Sequence, residues 1–285
     1  LVVTVDAIVE GVHYLPNDLP DLVARKLLRV NLSDLAAKGA RPLHYLLTTA
    51  LPPRLGDDWV ARFAAGLGED QRQYGVALLG GDSVSTPGPA VLSLTAIGEV
   101  VAGAEIRRGG AKPGDRVWVS GTIGDAFLGL RVLRGSHPET APADREFLAA
   151  RFRLPEPRVR LGPRLSGIAH AMCDISDGLV ADLGHICEAS GVGATISLPA
   201  VPLSPAARRL AIGDPVLAAS LATGGDDYEL LFAAPPDAGG AIERLAAEMR
   251  LQITAIGTIE TRAGVRVVDA AGALVPVASA GWTHF

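Results

Sequence analysis

The sequence of 285 residues has only two cysteines, Cys173 and Cys187. Two cysteines cannot build the disulfide framework of a small secreted protein. Both lie among apolar neighbours, so we predict buried free thiols rather than a metal or redox site. This sparse use of cysteine favours a reducing compartment, and we expect a cytoplasmic protein.

Excess positive charge and long apolar runs are also lacking. The chain has 26 Lys and Arg residues against 31 Asp and Glu residues, a formal charge of −5, which argues against nucleic-acid binding. No apolar run is long enough to span a membrane, and no basic-then-apolar leader opens the chain. Hydrophobic residues still make up 48% of the sequence, enough for the cores of two domains.

The common nucleotide-binding motifs are missing. The sequence contains no G-x-x-x-x-G-K-[ST] loop, no protein-kinase catalytic loop and no G-x-G-x-x-G fingerprint. A nucleotide-dependent enzyme with this sequence must therefore hold phosphates by other means.

Periodic apolar segments alternate between helical and strand spacing. They predict helices at residues 21–38, 56–74, 125–133, 144–153, 177–190 and 241–250, and strands at residues 1–5, 43–51, 76–79, 90–100, 116–120 and 252–259, with a hairpin at 265–277. We expect strand 76–79 to be buried. Residues 107–115, rich in Gly, Pro and charge, indicate a boundary between domains of residues 1–110 and 111–285. The interleaved elements indicate an α+β (mixed α/β) protein.

Aspartates recur where these elements end, beside small or turn-forming residues. They are Asp6, Asp34, Asp82, Asp174, Asp177, Asp226 and Asp227. Each has a structural alternative when taken singly: Asp177 as a helix N-cap, Asp82 as a turn residue, Asp34 as a solvated carboxylate. The recurrence beside glycines instead favours a shared ligand that the backbone approaches closely.

Magnesium gives a physical reason for such a set. It is a hard cation that usually bridges one or two carboxylates to substrate phosphates. A triphosphate needs more than one bridge, so carboxylates from several segments would have to converge. Because phosphoryl transfer depends on positioning and charge neutralisation, the pattern favours an Mg²⁺-dependent phosphotransferase.

Eight segments spread along the whole chain resemble the motifs of thiamine-monophosphate kinases. They are residues 3–6 (VTVD), 9–14 (VEGVHY), 31–40 (NLSDLAAKGA), 80–83 (GGDS), 108–115 (RGGAKPGD), 174–179 (DISDGL), 224–230 (GGDDYEL) and 281–285 (GWTHF). The resemblance implies the two-domain aminoimidazole ribonucleotide synthetase-like fold, with N-terminal domains that pair strands across a homodimer and a C-terminal α/β domain. It also implies transfer of the γ-phosphoryl group of ATP to thiamine monophosphate in the presence of Mg²⁺.

The resemblance also implies roles for individual residues. Metal ligands are expected at Thr4, Val5, Asp6, Asp34, Asp82, Asp174 and Asp177, of which Asp6, Asp34, Asp82 and Asp174 would serve catalysis through the metal. ATP contacts are expected at Gly81, Asp82, Arg108 and Ser176, and contacts with thiamine monophosphate at His13, Asp226 and Trp282.

Three departures from the family pattern qualify these roles. The family carries a Gly-Asp-Asp motif ahead of the first strand, so we expect one further acidic motif upstream of Leu1. Val5 stands where a hydroxyl residue is common, so only its backbone carbonyl can bind a metal. Asp226 stands where glutamate is usual, and Asp227 and Glu229 remain alternatives for the substrate contact.

Structural roles compete with several of these assignments. His13 can be a surface or capping histidine, Arg108 a linker charge, and Trp282 a plug for the core. Functional rivals are another ATP-dependent synthetase of the same fold and a non-catalytic nucleotide-binding regulator.

Overall fold

The computed structural model describes residues 1–277 and Gly281 of the chain. Its helices are α1 Pro20–Ala37, α2 Asp57–Tyr74, α3 Asp125–Leu133, α4 Pro142–Arg153, α5 Leu179–Ser190, α6 Pro205–Ala211, α7 Pro215–Leu221 and α8 Gly239–Met249. Its strands are β1 Val2–Val9, β2 Arg41–Leu51, β3 Ala77–Ser85, β4 Val91–Glu99, β5 Arg116–Ser120, β6 Ala171–Asp174, β7 Gly193–Ser197, β8 Leu230–Ala234, β9 Ile253–Glu260 and β10 Gly264–Val268.

The first sheet has the strand order β1-β4-β2-β3. Strand β4 is antiparallel to both β1 and β2, whereas β2 and β3 run parallel. Helices α1 and α2 pack together so closely that a Cβ at Gly66 would lie 2.4 Å from the Asp21 carbonyl oxygen. Helix α1 starts with Pro20, a favoured first residue, and carries Asp21 in its first turn, where a negative charge suits the helix dipole.

Strand β3 differs from its prediction because all but one of its residues are exposed. The expectation of a buried strand at residues 76–79 is therefore wrong; only Val76, which precedes β3, is buried. An apolar stretch need not face the core of its own chain. The large apolar side chains exposed on β1, β2 and β3 are Val3, Val5, Leu46, Leu78, Leu79 and Val84.

The second sheet has the strand order β10-β7-β9-β5-β8-β6, and its strands β5, β8 and β6 are buried on both faces. Alternate residues of β5 enter different cores: Val117 and Val119 pack in one apolar cluster, and Trp118 stacks on Phe232 in the other. Cys173 and Cys187 are buried and unpaired, as predicted. Strands β6, β7 and β8 are fully or mostly buried short runs without an alternating pattern, which explains why periodicity does not find them.

The predicted terminal hairpin is only partly right. Strand β10 pairs in parallel with β7, and the chain then turns back for a single bridge between Val268 and Leu274. No helix or strand occurs between β4 and β5, where the domain boundary is predicted. The division at residue 110 stays a prediction. Within the described residues, no helix is long and apolar enough to cross a membrane.

Candidate active site

Strand β1 and helix α1 bring the first acidic side chains together. The β-strand alternation places Thr4 and Asp6 toward α1, while Val5, 61% exposed, points to the opposite face. The Thr4 hydroxyl donates to a carboxylate oxygen of Asp34 at 2.6 Å. The Asp6 backbone N–H donates to the side-chain oxygen of the buried Asn31 at 3.0 Å. The pairing of these two elements thus sets Asp6 beside Asp34.

Asp174 joins this pair from the other sheet. It ends β6, and its carboxylate accepts a 2.6 Å hydrogen bond from the hydroxyl of Ser33, the residue before Asp34. Burial, followed by the charge of Asp34, raises the pKa of Asp174 to about 8. Burial and then Asp34 also raise the pKa of Asp6 to about 6, with a further contribution from Asp177. The two shifts thus arise from burial first and from neighbouring carboxylates second.

The turn after β6 adds Ser176 and Asp177. The expectation of a helix from residue 177 is slightly long, because α5 begins at Leu179 with Gly178 as its N-cap. The alternative of Asp177 as the N-cap is therefore wrong. Asp182, in the first turn of α5, instead binds the N–H groups that precede the helix. Its Oδ2 accepts hydrogen bonds from the backbone N–H groups of Ser176, Asp177 and Gly178, each at 3.1 Å.

The motifs do not predict a role for Asp182, although an acidic residue in the first turn of a helix is a recognisable sign of a contact with the helix N-terminus. Burial, followed by the charge of Asp177, raises the pKa of Asp182 to about 7. Potential ligand atoms of Asp177, Asp182 and the exposed His185 lie within 4.8 Å of one another. The carboxylate of Asp182 thus shapes the turn that presents Asp177.

Residues 224–229 form a strained loop against the same turn. Asp226 and Tyr228 have positive φ values of 71° and 51°, which non-glycine residues rarely adopt. Their backbone N–H groups donate to the carbonyl oxygens of Ser176 and Ile175, each at 2.8 Å. A Cβ at Gly225 would lie 2.3 Å from the Ser176 oxygen, so this close approach requires glycine.

The three acidic residues of this loop have different surroundings. Asp227 is buried and accepts the backbone N–H of Gly124 at 2.7 Å, at the N-terminus of α3; burial holds its pKa well above the usual range. Glu229 is completely buried with Arg158 and Arg151, whose charges lower its pKa despite the opposing effect of burial. Asp226 alone keeps a partly accessible side chain, 28% exposed. The structure therefore favours Asp226 for a ligand contact.

Gly81 and Asp82 lie apart from this acidic cluster in the fold. They belong to β3, which is three strands from β1, roughly 14 Å at the usual strand spacing. Asp82 is exposed and its carboxylate accepts the N–H of Ser83 at 2.8 Å. A Cβ at Gly81 would lie 1.7 Å from the Leu47 carbonyl oxygen, so sheet packing alone already requires this glycine.

A cavity of about 370 Å³ opens beside Asp34. Its walls include Thr4, Lys38, Arg107 and Arg108, so the predicted ATP contact Arg108 faces the same space as Asp34. Lys38 and Arg107, to which the resemblance gave no role, add positive charge. Basic side chains next to a carboxylate cluster suit a polyphosphate bound together with cations.

His13 lies in the turn after β1, and its Nδ1 accepts the backbone N–H of Val9 at 3.0 Å. Trp282 falls outside the described residues. Gly281 is described, and it passes so close to the turn before α5 that a Cβ there would lie 2.6 Å from the Asp177 carbonyl oxygen. The residue before Trp282 is thus next to the acidic turn.

Comparison with known proteins places the chain in a class. The family model for the N-terminal domain of AIR synthase related proteins matches residues 1–100, and that for the C-terminal domain matches residues 112–270. The chain is therefore an AIR synthase related protein. The thiamine-monophosphate kinase of Caulobacter vibrioides is 45% identical over 289 residues, covering 100% of this chain and 80% of the relative. That of Salmonella typhimurium is 40% identical, covering 90% and 78%. Within its class the chain belongs to the thiamine-monophosphate kinase family.

Solved structures agree with this assignment. The thiamine-monophosphate kinase from Stenotrophomonas maltophilia K279a superposes with a TM-score of 0.87 at 43% identity, covering 93% of this chain and 84% of that one. AaThiL complexed with AMPPCP and TMP gives a TM-score of 0.87 at 33% identity, covering 99% and 86%. The hydrogenase maturation protein HypE of E. coli, at 22% identity and a TM-score of 0.76, shares the fold alone. The family resemblance and the mixed α/β fold inferred from the motifs are confirmed.

Proposed function

We propose that this protein transfers the γ-phosphoryl group of ATP to thiamine monophosphate, forming thiamine diphosphate. The observation that carries the proposal is the convergence of Asp6, Asp34, Asp174 and Asp177 beside the Asp226 loop, in a chain of this family. The relative that was solved with AMPPCP and TMP supports both the nucleotide and the acceptor. A phosphate monoester is already nucleophilic at neutral pH, so the acceptor needs no strong general base for in-line attack.

The acidic residues fit several magnesium ions. Asp6, Asp34, Asp174 and Asp177 offer the hard oxygen ligands that Mg²⁺ prefers, and Thr4 and the Val5 carbonyl can complete the set. The raised pKa values of Asp6 and Asp174 support this fit, because a bound cation would offset the burial, and then the repulsion from Asp34, that raise them. When bound, Mg²⁺ neutralises charge on the nucleotide and the acceptor phosphate.

The remaining residues position the two substrates. Arg108 and Lys38 supply positive charge to the cavity beside Asp34, where the phosphates of ATP would lie. Ser176 sits in the turn fixed by Asp182 and contributes to the nucleotide contact. His13, Asp226 and Trp282 form the proposed acceptor contacts. The two domains, residues 1–110 and 111–285, would meet across this site.

We place a homodimer interface on the first sheet. Exposed apolar residues such as Val3, Leu79 and Val84 leave a surface that a second copy would cover. Gly81 and Asp82 lie on the outer strand of that sheet, so the same interface would carry them to the active site of the partner subunit. The buried thiols of Cys173 and Cys187 support a cytoplasmic location.

The test is a turnover assay of the full chain with ATP, Mg²⁺ and thiamine monophosphate. Wild-type protein should form thiamine diphosphate, and both Asp82→Asn and Asp174→Asn should lose turnover by on the order of 100-fold or more. Near-normal turnover in both variants would contradict the metal assignment. ATP binding by calorimetry without any product would favour a non-catalytic regulator.

A further inference from the structure

Lys26 is a buried cation that the function proposed above does not use. It lies in α1, and only 2% of its side chain is exposed. Taking an ammonium group out of water costs several kcal/mol unless its charge and its donors are satisfied. The residues that contact the Lys26 ammonium therefore indicate its role.

Three segments surround the Lys26 ammonium. Its Nζ donates to the backbone carbonyl of His13 at 2.8 Å and to Oδ2 of Asp226 at 3.1 Å. It also lies 3.8 Å from the centroid of the Phe152 ring, within the range of a cation–π contact. An ammonium has three donors, and two of them are assigned to oxygen atoms by these contacts.

The two oxygen atoms belong to His13 and Asp226, both of which are proposed above to contact the acceptor. His13 belongs to the turn after β1, and Asp226 to the loop before β8, so they are 213 positions apart in the chain and come from opposite halves of it. Asp226 sits at a positive φ of 71°, and the hydroxyl of Tyr228 approaches its other carboxylate oxygen at 3.3 Å. Of the described residues, Lys26 makes the charged contact with the Asp226 carboxylate.

We infer that Lys26 is a positioning residue for the phosphate acceptor: its ammonium holds the His13 turn and the Asp226 carboxylate in the arrangement that binds thiamine monophosphate. This inference rests on the proposed function. Because Lys26 is buried, it acts through these two neighbours and not by touching the acceptor. Small displacements of positioned groups are costly, since about 1 Å can lower a rate by on the order of 100-fold.

The test separates the Michaelis constants of the two substrates. Lys26→Met keeps the length of the side chain and removes the charge and the donors. We expect the KM for thiamine monophosphate to rise by about tenfold or more, while the KM for ATP stays within about twofold. Lys26→Arg keeps a buried cation with several donors, so it should recover most of the acceptor affinity.

Two controls exclude a general loss of stability. Arg29, one turn further along α1, is also buried and pairs with Asp70 instead. Arg29→Met should lower the melting temperature comparably and leave the acceptor KM unchanged. In a double-mutant cycle, Lys26→Met and Asp226→Asn should be less than additive in the acceptor KM, because both break one contact.

The possible results lead to different conclusions. Wild-type protein without turnover of thiamine monophosphate would contradict the proposed function. Active wild type with an unchanged acceptor KM in Lys26→Met would overturn the inference about Lys26 alone, as would an equal rise in the KM for ATP. If Lys26→Met does not fold, Lys26→Gln removes the charge that pairs with Asp226 while keeping a polar side chain, and an acceptor KM within twofold of wild type in that variant would also overturn the inference.

Discussion

At the residue scale, the site depends on carboxylates held close together. Asp174 is buried with Asp34 nearby, and its pKa is raised to about 8 by burial and then by that neighbour. Asp6 shows the same behaviour with a pKa of about 6. Such crowding destabilises the fold in order to prepare a binding site, a common feature of functional residues.

One prediction concerns the stability of the metal-free protein. The pKa of Asp174 is higher in the folded chain than the usual aspartate value of 3.8. Its contribution to folding is therefore fully present below about pH 4 and is lost as pH rises through about 8. Asp174→Asn should remove this loss, so its melting temperature should exceed that of wild type at pH 8 more than at pH 5. Thermal unfolding in EDTA, which keeps the protein free of metal, measures both melting temperatures. The same dependence of melting temperature on pH in the two proteins would contradict the prediction.

A second prediction concerns protons released by magnesium. Carboxylates must be ionised to bind the cation, and at pH 7 Asp174 is largely protonated. Binding of Mg²⁺ should therefore release close to one proton, and the affinity should fall as pH is lowered from 8 to 6. Calorimetry in buffers of different ionisation enthalpy measures the release. In Asp174→Asn the released fraction should drop, and a value unchanged from wild type would contradict the assignment.

At the scale of elements, the active-site turns hold one another through the backbone. The loop at residues 224–229 is joined to the turn after β6 by two N–H bonds and by the close approach of Gly225 to Ser176. The carboxylate of Asp182 organises that turn from inside α5. Strain in one loop is thus balanced by hydrogen bonds from another element.

A third prediction tests this contact between the turns. Gly225→Ala would place a methyl group 2.3 Å from the Ser176 oxygen and push the two turns apart. We expect a loss of about 1–3 kcal/mol in stability and a larger loss in turnover. Gly184→Ala, in the middle of α5, meets nothing within 4 Å and is the matched control, with a gain of about 0.5–1 kcal/mol. Denaturant unfolding and the turnover assay measure both effects, and full activity in Gly225→Ala would contradict the expectation.

At the scale of the whole molecule, the first sheet places its acidic residues on strands that do not adjoin. Asp6 is on β1 and Asp82 is on β3, at the other edge. In the homodimer proposed above, a second copy of the chain would cover the exposed apolar residues of this sheet and would bring its Asp82 to the acidic cluster.

A fourth prediction follows for mixed dimers. Asp34→Asn and Asp82→Asn should each be inactive alone. If the two residues serve one site from different chains, a dimer of one chain of each variant has one intact site and one inactive site. Random mixing makes about half of the dimers of this kind, so activity should recover to about a quarter of wild type. Unmixed variants under identical refolding conditions are the control. No recovery in mixtures shown to exchange subunits would contradict shared sites.

Much of this architecture could be predicted from the sequence. Helices α1 to α5 and α8 match their predicted ranges within a few residues, because an amphipathic stripe is a local property of the chain. The acidic motifs identified the family, and the roles that they give to individual site residues stay predictions. Short buried strands such as β6 and β8 were not found, since uniform burial leaves no periodic pattern.

The sequence by itself determined the chemistry that is available: many aspartates next to glycines, a basic Arg108 and no lysine-bearing phosphate loop. Only the tertiary structure decided which of these groups meet. It separated Asp226 from Asp227 and Glu229 by burial, left Asp82 on a distant strand, and brought Asp182 and Lys26 into contact with the site. The physical reason is that burial and pairing depend on contacts between distant segments, which no local pattern encodes.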